Sequence, residues 1–208
     1  KPLHIIILAA GAGTRMKSRL AKVLQTIGGR AMIIHVLDTA VQLEPAGIHV
    51  VFNPDAVEVV EACDSFDVTW AAQTEQLGTG HAVIQAMPGI PADADVLVLY
   101  GDIPLLDAAV LQQLIELPCA GLKALTMNVP DPTGYGRVIR DEMGGITGIV
   151  EERDASAAQR TICEVNTGII MAPQPVMMAC LDDMVSENSQ NEYYLTDVFS
   201  IAFHKGIK

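Results

Sequence analysis

Apolar residues along this chain fall into two patterns, short continuous runs and groups spaced three or four positions apart. The runs predict strands buried on both faces, and the spaced groups predict helices that pack against those strands. Strands are predicted at 4–7, 48–52, 68–72, 95–100, 123–129 and 164–171, with a hairpin formed by 136–140 and 146–150. Helices are predicted at 31–43, from the turn at 53–55 to residue 63, and at 81–86, 174–185 and 195–204.

The order of these elements predicts the fold class. Strand and helix alternate through the first half, which is typical of an α/β fold with an open, Rossmann-like, mostly parallel sheet and helices on both faces. Strands succeed one another in the second half, so we expect antiparallel additions to the sheet late in the chain. A length of 208 residues fits one domain, and we therefore predict that residues 1–208 form a single unit.

Composition narrows the class of protein. Half of the residues are apolar and 18% are charged, as expected of a globular protein with a sizeable core. We expect neither a membrane-spanning helix nor a signal peptide, since no apolar stretch is long enough and the first strand begins almost at residue 1. The four cysteines are widely spaced, which favours the free thiols of a cytoplasmic protein over disulfides or a zinc site.

A glycine-rich stretch follows the first predicted strand. Gly11 and Gly13 let the backbone turn tightly and bring its N–H groups close to a ligand. The net charge is −12, yet four of the 13 lysines and arginines fall just here, namely Arg15, Lys17, Arg19 and Lys22. In an acidic protein such a cluster favours a small polyanion over a nucleic acid. A solvated basic turn before a helix is the alternative interpretation.

Two common glycine loops do not match this stretch. The P-loop is excluded because no Gly-Lys-Ser or Gly-Lys-Thr triplet occurs in the chain. The dinucleotide fingerprint matches at Gly11 and Gly13, but Met16 stands at its third glycine position. The acidic residue that this fingerprint also requires is missing, because Asp38 falls within a helical pattern.

Polar clusters at the ends of later strands are candidates for further chemistry. Gln73 and Gln76 carry amides that could read a nucleobase edge, although a polar loop with a glycine cap explains them equally well. Asp102 follows the most strand-like segment and is a candidate Mg²⁺ ligand, since Asp107 is the better helix cap. Glu151 and Asn166 suit sugar hydroxyls, but each alone is also typical of a strand end.

Seven motifs now stand in a fixed order along the chain. They are the glycine loop at 8–16, and the stretches 76–82, 100–105, 131–137, 149–151, 166–168 and 192–197. In order and spacing this set resembles the pyrophosphorylase domain of the bacterial N-acetylglucosamine-1-phosphate uridyltransferases, which are bifunctional enzymes. The resemblance covers essentially the whole chain.

The resemblance implies a role for each matching residue. It implies that Arg15 and Lys22 are catalytic residues that contact phosphates, and that Asp102 binds Mg²⁺ as the cofactor. It implies that the substrates are held by Leu8, Ala10, Gly11, Gly13, Gln73, Gln76, Gly78, Thr79, Tyr100, Gly101, Gly136, Glu151 and Asn166.

The same resemblance implies the reaction and its setting. UTP and N-acetylglucosamine-1-phosphate would give UDP-N-acetylglucosamine and pyrophosphate in the cytoplasm, for peptidoglycan and lipopolysaccharide precursors, without nucleic-acid or membrane partners. Family members continue past residue 208, with an asparagine that completes the Mg²⁺ site and a β-helical acetyltransferase domain that builds a trimer. We therefore expect this chain to be a truncated domain and a monomer.

Alternative functions stay open at this point. The enzyme could be a pyrophosphorylase for another nucleotide and sugar phosphate, which a substrate panel would decide. A non-catalytic nucleotide-sugar-binding module is a second alternative, opposed by the joint presence of Arg15, Lys22 and Asp102. A dinucleotide-dependent oxidoreductase is a third, weakened by Met16.

Overall fold

The computed structural model describes residues 1–11 and 20–207. Strand β1 (Leu3–Leu8) lies near the middle of an eight-stranded sheet, between β4 (Gly47–Phe52) and β6 (Asp95–Tyr100). The outer strand beside β4 is β5 (Thr69–Ala72), and these four strands are all parallel. They form the parallel part of the sheet that the alternating pattern predicts.

Antiparallel strands extend the sheet beyond β6. Strand β10 (Glu164–Pro173) pairs with β6 and also with β7 (Lys123–Asn128) and β8 (Arg137–Arg140). Strand β9 (Ile146–Val150) completes the predicted hairpin with β8. The predicted α/β class, with late antiparallel additions, is thus confirmed. A small ribbon that the apolar pattern did not predict is formed by β2 (Thr26–Ile27) and β3 (Arg30–Ala31).

Six α-helices lie in the described part of the chain. They are α1 (Met32–Val41), α2 (Val57–Ala62), α3 (Thr79–Ala86), α4 (Ala108–Glu116), α5 (Gln174–Leu181) and α6 (Asp197–His204). The predicted cap of α4 is confirmed, since Asp107 Oδ1 accepts a hydrogen bond from Ala109 N–H at 2.8 Å. Four predicted helix boundaries are wrong by two residues or more. The helix α1 ends at Val41 rather than 43, α3 begins at Thr79 rather than 81, α5 ends at Leu181 rather than 185, and α6 begins at Asp197 rather than 195.

Two apolar cores pack against opposite faces of the sheet. In β1, Ile6 and Leu8 belong to one core, and Ile5 and Ile7 belong to the other. This split follows from the strand geometry, because successive side chains point to opposite faces. Ile5, Ile6 and Ile7 are 0% exposed, so the strand is fixed on both sides and its carboxyl end is held in place.

Leu97 tests how far stability depends on the centre of the sheet. It is 0% exposed and pairs with Ile5 on one side and Met171 on the other. We expect Leu97→Ala to lower the free energy of unfolding by about 2–5 kcal/mol through lost burial and a cavity, measured by urea denaturation. Leu105→Ala is the control, since Leu105 is 85% exposed and its truncation should cost less than about 0.5 kcal/mol.

Candidate active site

A cavity of about 360 Å³ opens at the carboxyl ends of β1, β5 and β6. Strand order explains its position, because the chain leaves β1 toward β4 on one side and pairs it with β6 on the other. In open α/β sheets, ligands bind where the strand order reverses in this way. Ten of the predicted site residues line this cavity: Leu8, Ala10, Gly11, Lys22, Gln73, Gln76, Gly78, Thr79, Tyr100 and Asp102.

Two predicted residues fall outside the described part of the chain. They are Gly13 and Arg15, within residues 12–19. Gly101 lies between two lining residues, and its N–H donates to Leu8 O at 2.9 Å. A Cβ at residue 101 would approach Val23 Cγ1 to 3.1 Å and Leu8 O to 3.2 Å. Glycine at this position therefore allows the backbone after β6 to pack closely against the end of β1.

Lys22 and Asp102 meet at the cavity. Lys22 begins a short 3-10 helix, Lys22–Leu24, whose Val23 and Leu24 are buried and anchor it beside the sheet. Its ammonium forms an ion pair with Asp102 Oδ2. Both side chains are partly exposed, at 40% and 22%, so a ligand in the cavity can reach them. The site thus offers a cation for phosphate and a carboxylate for a metal ion.

The carboxylate is compatible with Mg²⁺ but does not form a complete protein cage. Within residues 1–11 and 20–207, no three His, Cys, Asp or Glu side chains cluster as metal ligands. Mg²⁺ is usually held by one or two carboxylates together with substrate phosphates and water. A single Asp102 that lines a cavity of about 360 Å³, with room for substrate phosphates and water, fits that mode of binding.

The loop of residues 73–78 between β5 and α3, here called the glutamine loop, forms another wall of the cavity. Gln73 is only 3% exposed, and its Nε2 donates to Gly78 O at 3.1 Å and lies 3.0 Å from His81 Nδ1. Gln76 Nε2 donates to Gln73 O at 3.2 Å, which ties the loop together. Because both described contacts of the Gln73 side chain use Nε2, its Oε1 is left as an acceptor for a ligand.

The predicted sugar-binding residues form a separate, adjacent group and do not line the cavity itself. Asn166 N–H donates to Gly136 O at 2.9 Å, and a Cβ at residue 136 would lie 3.3 Å from Glu151 Oε1. Tyr100 connects this group to the cavity, because its ring packs against the backbone at Gly168, where a Cβ would approach it to 2.7 Å. The three residues are therefore brought together beside the cavity.

Burial and like charge disfavour ionisation near Glu151. Burial raises the pKa of Glu151, the hydrogen bond from Thr196 lowers it, and Asp154 raises it. Burial, together with the charges of Glu151 and Asp154, raises the pKa of Asp197 to about 6. Burial likewise raises the pKa of Tyr100, which is hydrogen-bonded to Thr79.

The cavity is also lined by three residues to which the sequence analysis assigned no role. They are Val23, Ala82 and Glu192. Glu192 is the first residue of the 192–197 motif, and membership of that motif was the sequence signal that could have assigned it to the site. Nothing in its local pattern shows that this late segment returns to the glutamine loop.

Comparison with known proteins identifies the family. Residues 5–157 match the family model described as the MobA-like NTP transferase domain. The chain belongs to this family. This NTP transferase domain is a nucleotidyltransferase, and the dinucleotide-dependent oxidoreductase alternative is not favoured. Among the described residues, none of the helices has the length and apolar character needed to cross a membrane.

Individual proteins are similar to this chain over nearly its whole length. The chain is 51% identical over 206 residues to "Bifunctional protein GlmU" of Alkalilimnicola ehrlichii, covering 99% of this chain and 44% of that protein. It is 50% identical to the protein of the same name from Xanthomonas oryzae pv. oryzae, and this match covers 97% of this chain and 44% of that protein. These matches confirm the resemblance to the bifunctional uridyltransferase family, and the chain spans less than half the length of these relatives.

A solved structure has the same fold at low sequence identity. A UDP-glucose pyrophosphorylase complexed with UDP-glucose superposes with a TM-score of 0.77 and 14% identity, covering 99% of this chain and 88% of that one. At this identity the likeness concerns the fold alone. It agrees with the open α/β sheet of this NTP transferase domain.

The raised pKa of Asp197 predicts a pH-dependent stability. The folded chain holds a proton there up to about pH 6, whereas the ordinary pKa is 3.8. The cost in stability therefore grows as pH rises from 3.8 to about 6 and stays at its full size above pH 6. We expect Asp197→Asn to raise the melting temperature at pH 8 by about 2 °C or more, with the gain fading as pH falls from about 6 toward about 4. Asp55→Asn, at an exposed turn, is the control, and an equal gain at both pH values would contradict the assignment.

Gly78 predicts a strict backbone requirement at the cavity wall. Its φ is +112°, and a Cβ there would lie 2.6 Å from Tyr193 O. We expect Gly78→Ala to cost more than about 2 kcal/mol of unfolding free energy. The control is Gly206→Ala, at φ +69° in open space, which should cost about 1 kcal/mol. Equal losses in urea denaturation would show that close packing at Gly78 is unimportant.

Proposed function

We propose that this domain transfers a uridylyl group from UTP to N-acetylglucosamine-1-phosphate, giving UDP-N-acetylglucosamine and pyrophosphate. The observation that carries the proposal is the cavity itself, in which Lys22 and Asp102 face the glutamine loop around Gln73. About 50% identity to GlmU proteins over nearly the whole chain supports the choice of substrates.

The nucleotide would bind between the end of β1 and the glutamine loop. The free Oε1 of Gln73 suits uracil, whose N3–H is a donor, better than cytosine or adenine, which present an acceptor at the corresponding ring position. Gln76, Gly78 and Thr79 would hold the nucleoside. Backbone groups at Leu8, Ala10, Gly11 and Gly13 would hold the phosphates.

The sugar would bind at the adjacent group. Glu151 can accept hydrogen bonds from sugar hydroxyls, while Asn166 and the backbone at Gly136 can serve the hydroxyls or the acetamide. Tyr100 lines the cavity and packs against Gly168 beside this group, so the phosphate ends of the two substrates would meet near Tyr100.

The chemistry requires positioning and charge neutralisation more than a covalent nucleophile. A phosphate oxygen of the sugar phosphate attacks the α-phosphorus of UTP, the bond to the β-phosphate oxygen breaks, and pyrophosphate leaves with that bonding pair. Lys22 would neutralise charge at the α-phosphate, and Arg15 would stabilise the departing pyrophosphate.

Asp102 is the residue that would hold Mg²⁺, which supplies neutralisation of phosphate charge when bound. Without substrate, Asp102 pairs with Lys22. An incoming triphosphate would offer Lys22 a competing anion, and the Asp102 carboxylate would then be available to the metal ion. We further propose a cytoplasmic enzyme that serves peptidoglycan and lipopolysaccharide precursors. The single domain and the monomeric state remain predictions.

Pyrophosphate release tests the proposal directly. The chain is assayed with UTP, N-acetylglucosamine-1-phosphate and Mg²⁺, with ATP or glucose-1-phosphate as mismatched substrates. Release with the matched pair alone supports the proposal. Efficient pyrophosphate release with another pair would show that the proposed substrates are wrong. If pyrophosphate is not released and calorimetry detects no UTP binding, the proposed nucleotide site is wrong.

Two substitutions separate chemistry from binding. We expect Lys22→Ala to lower turnover by about 100-fold or more with a small change in UTP affinity, since its cation acts on charge that develops during transfer. We expect Gln73→Ala to weaken UTP binding by about 10-fold, through loss of a buried acceptor.

Lys205→Ala is the matched control for Lys22→Ala, because Lys205 also pairs with an aspartate, Asp183 at 2.6 Å, outside the cavity. It should leave both kinetic parameters unchanged. Equal losses of UTP affinity in Lys22→Ala and Gln73→Ala, measured by calorimetry, would contradict the division of roles.

A further inference from the structure

The segment 192–196 contacts the glutamine loop through its backbone. Tyr193 N–H donates to Leu77 O at 2.8 Å, and Tyr193 O accepts from Gly80 N–H at 2.8 Å. These two bonds flank Gly78 and attach the late segment to the loop on both sides. The position of the loop is therefore tied to the position of the segment.

The next residues of the segment continue this attachment toward the sugar side. Leu195 N–H donates to Thr79 Oγ1 at 3.0 Å, and the Leu195 side chain is 0% exposed. Thr196 follows directly and is 5% exposed. Since Leu195 is fixed by burial and by this bond, Thr196 has little freedom to move relative to the loop.

Thr196 uses its hydroxyl in an unusual way for its position. It immediately precedes α6 (Asp197–His204), where a threonine side chain ordinarily accepts a bond from the first turn of the helix. In the described part of the chain it makes no such cap, and Oγ1 instead donates to Glu151 Oε1 at 3.1 Å. The hydroxyl therefore forgoes a local stabilising bond and holds a carboxylate from a distant part of the chain.

That carboxylate lies in surroundings that oppose its charge. Glu151 is partly buried, and Asp154, Asp197 and Tyr100 interact with it electrostatically. Among the described residues, Thr196 provides the one side-chain hydrogen bond to it. Without this donor, the carboxylate would be free to turn away from Asp154 and Asp197 toward solvent.

We propose that Thr196 is a positioning residue that orients the Glu151 carboxylate for the sugar, and that the segment 192–196 carries this orientation from the glutamine loop. The inference rests on the proposed function, since it assigns Glu151 to the sugar. Thr196 acts through Glu151, and its removal should therefore affect the sugar moiety and spare the nucleotide.

Binding measurements on the full chain test this without requiring turnover. Calorimetry with UDP and with UDP-N-acetylglucosamine, both with Mg²⁺, isolates the contribution of the sugar to affinity. Thr196→Val keeps the side-chain shape and removes the hydroxyl donor, whereas Thr196→Ser keeps that donor. The matched control is Thr147→Val in the β8–β9 hairpin, where Thr147 Oγ1 donates to Ile139 O at 3.3 Å. Melting temperatures establish that each variant is folded.

We expect Thr196→Val to weaken the binding of UDP-N-acetylglucosamine by about 10-fold or more, as for a lost hydrogen bond to a charged group. The affinity for UDP should stay within about 2-fold of the wild-type value. Thr196→Ser and Thr147→Val should resemble the wild type. Unchanged binding of the sugar nucleotide to Thr196→Val, or equal losses for both ligands, would overturn the inference and leave the proposed function standing. Equal affinity of the wild type for both ligands would instead show that the sugar subsite is absent, and both proposals would fail.

Discussion

The parallel pairing of β1 with β6 is the constraint on which the rest of the site depends. The pairing runs in register from Leu3 opposite Asp95 to Leu8 opposite Tyr100, and Gly101 N–H extends it by one more bond to Leu8 O. Parallel strands end at the same edge of a sheet, so the turns that follow them must share space there. Apolar cores on both faces fix the pair, and thus a rigid floor positions Lys22 and Asp102.

The antiparallel additions bring the residues proposed to bind the sugar beside the cavity proposed for the nucleotide. Strand β10 pairs with β6 and with β7, and its register against β7 shifts between Asn166 and Ile170. Gly168, at φ +90°, lies in this irregular stretch and receives the Tyr100 ring. The irregularity thus places Asn166 and the tyrosine at the border between the two groups.

Sequence reasoning located the elements whose signals are local. The apolar run at 95–100 coincides with β6, and Asp107 caps α4 as its position before an apolar helix suggests. The start of α6 was placed too early because Leu195 looks helical in sequence, yet its N–H bonds to Thr79 Oγ1 over a separation of 116 residues. Contacts of that range leave no local periodicity, and the same reason hid Glu192 from the predicted site.

The proposed function requires an acidic protein to accept a polyanionic ligand. A net charge of −12 repels phosphates at long range, but this repulsion is screened over about 8 Å in physiological salt. Inside the cavity the nearest charges decide, and there Lys22 pairs with Asp102, while the partly buried carboxylates Glu151 and Asp197 are held in the adjacent group. Under the proposed function, separation of the cation from these carboxylates suits phosphates at one end of the cleft and hydroxyls at the other. The fold achieves this separation by drawing the cation from the 3-10 helix Lys22–Leu24 and the carboxylates from the end of β9 and the start of α6.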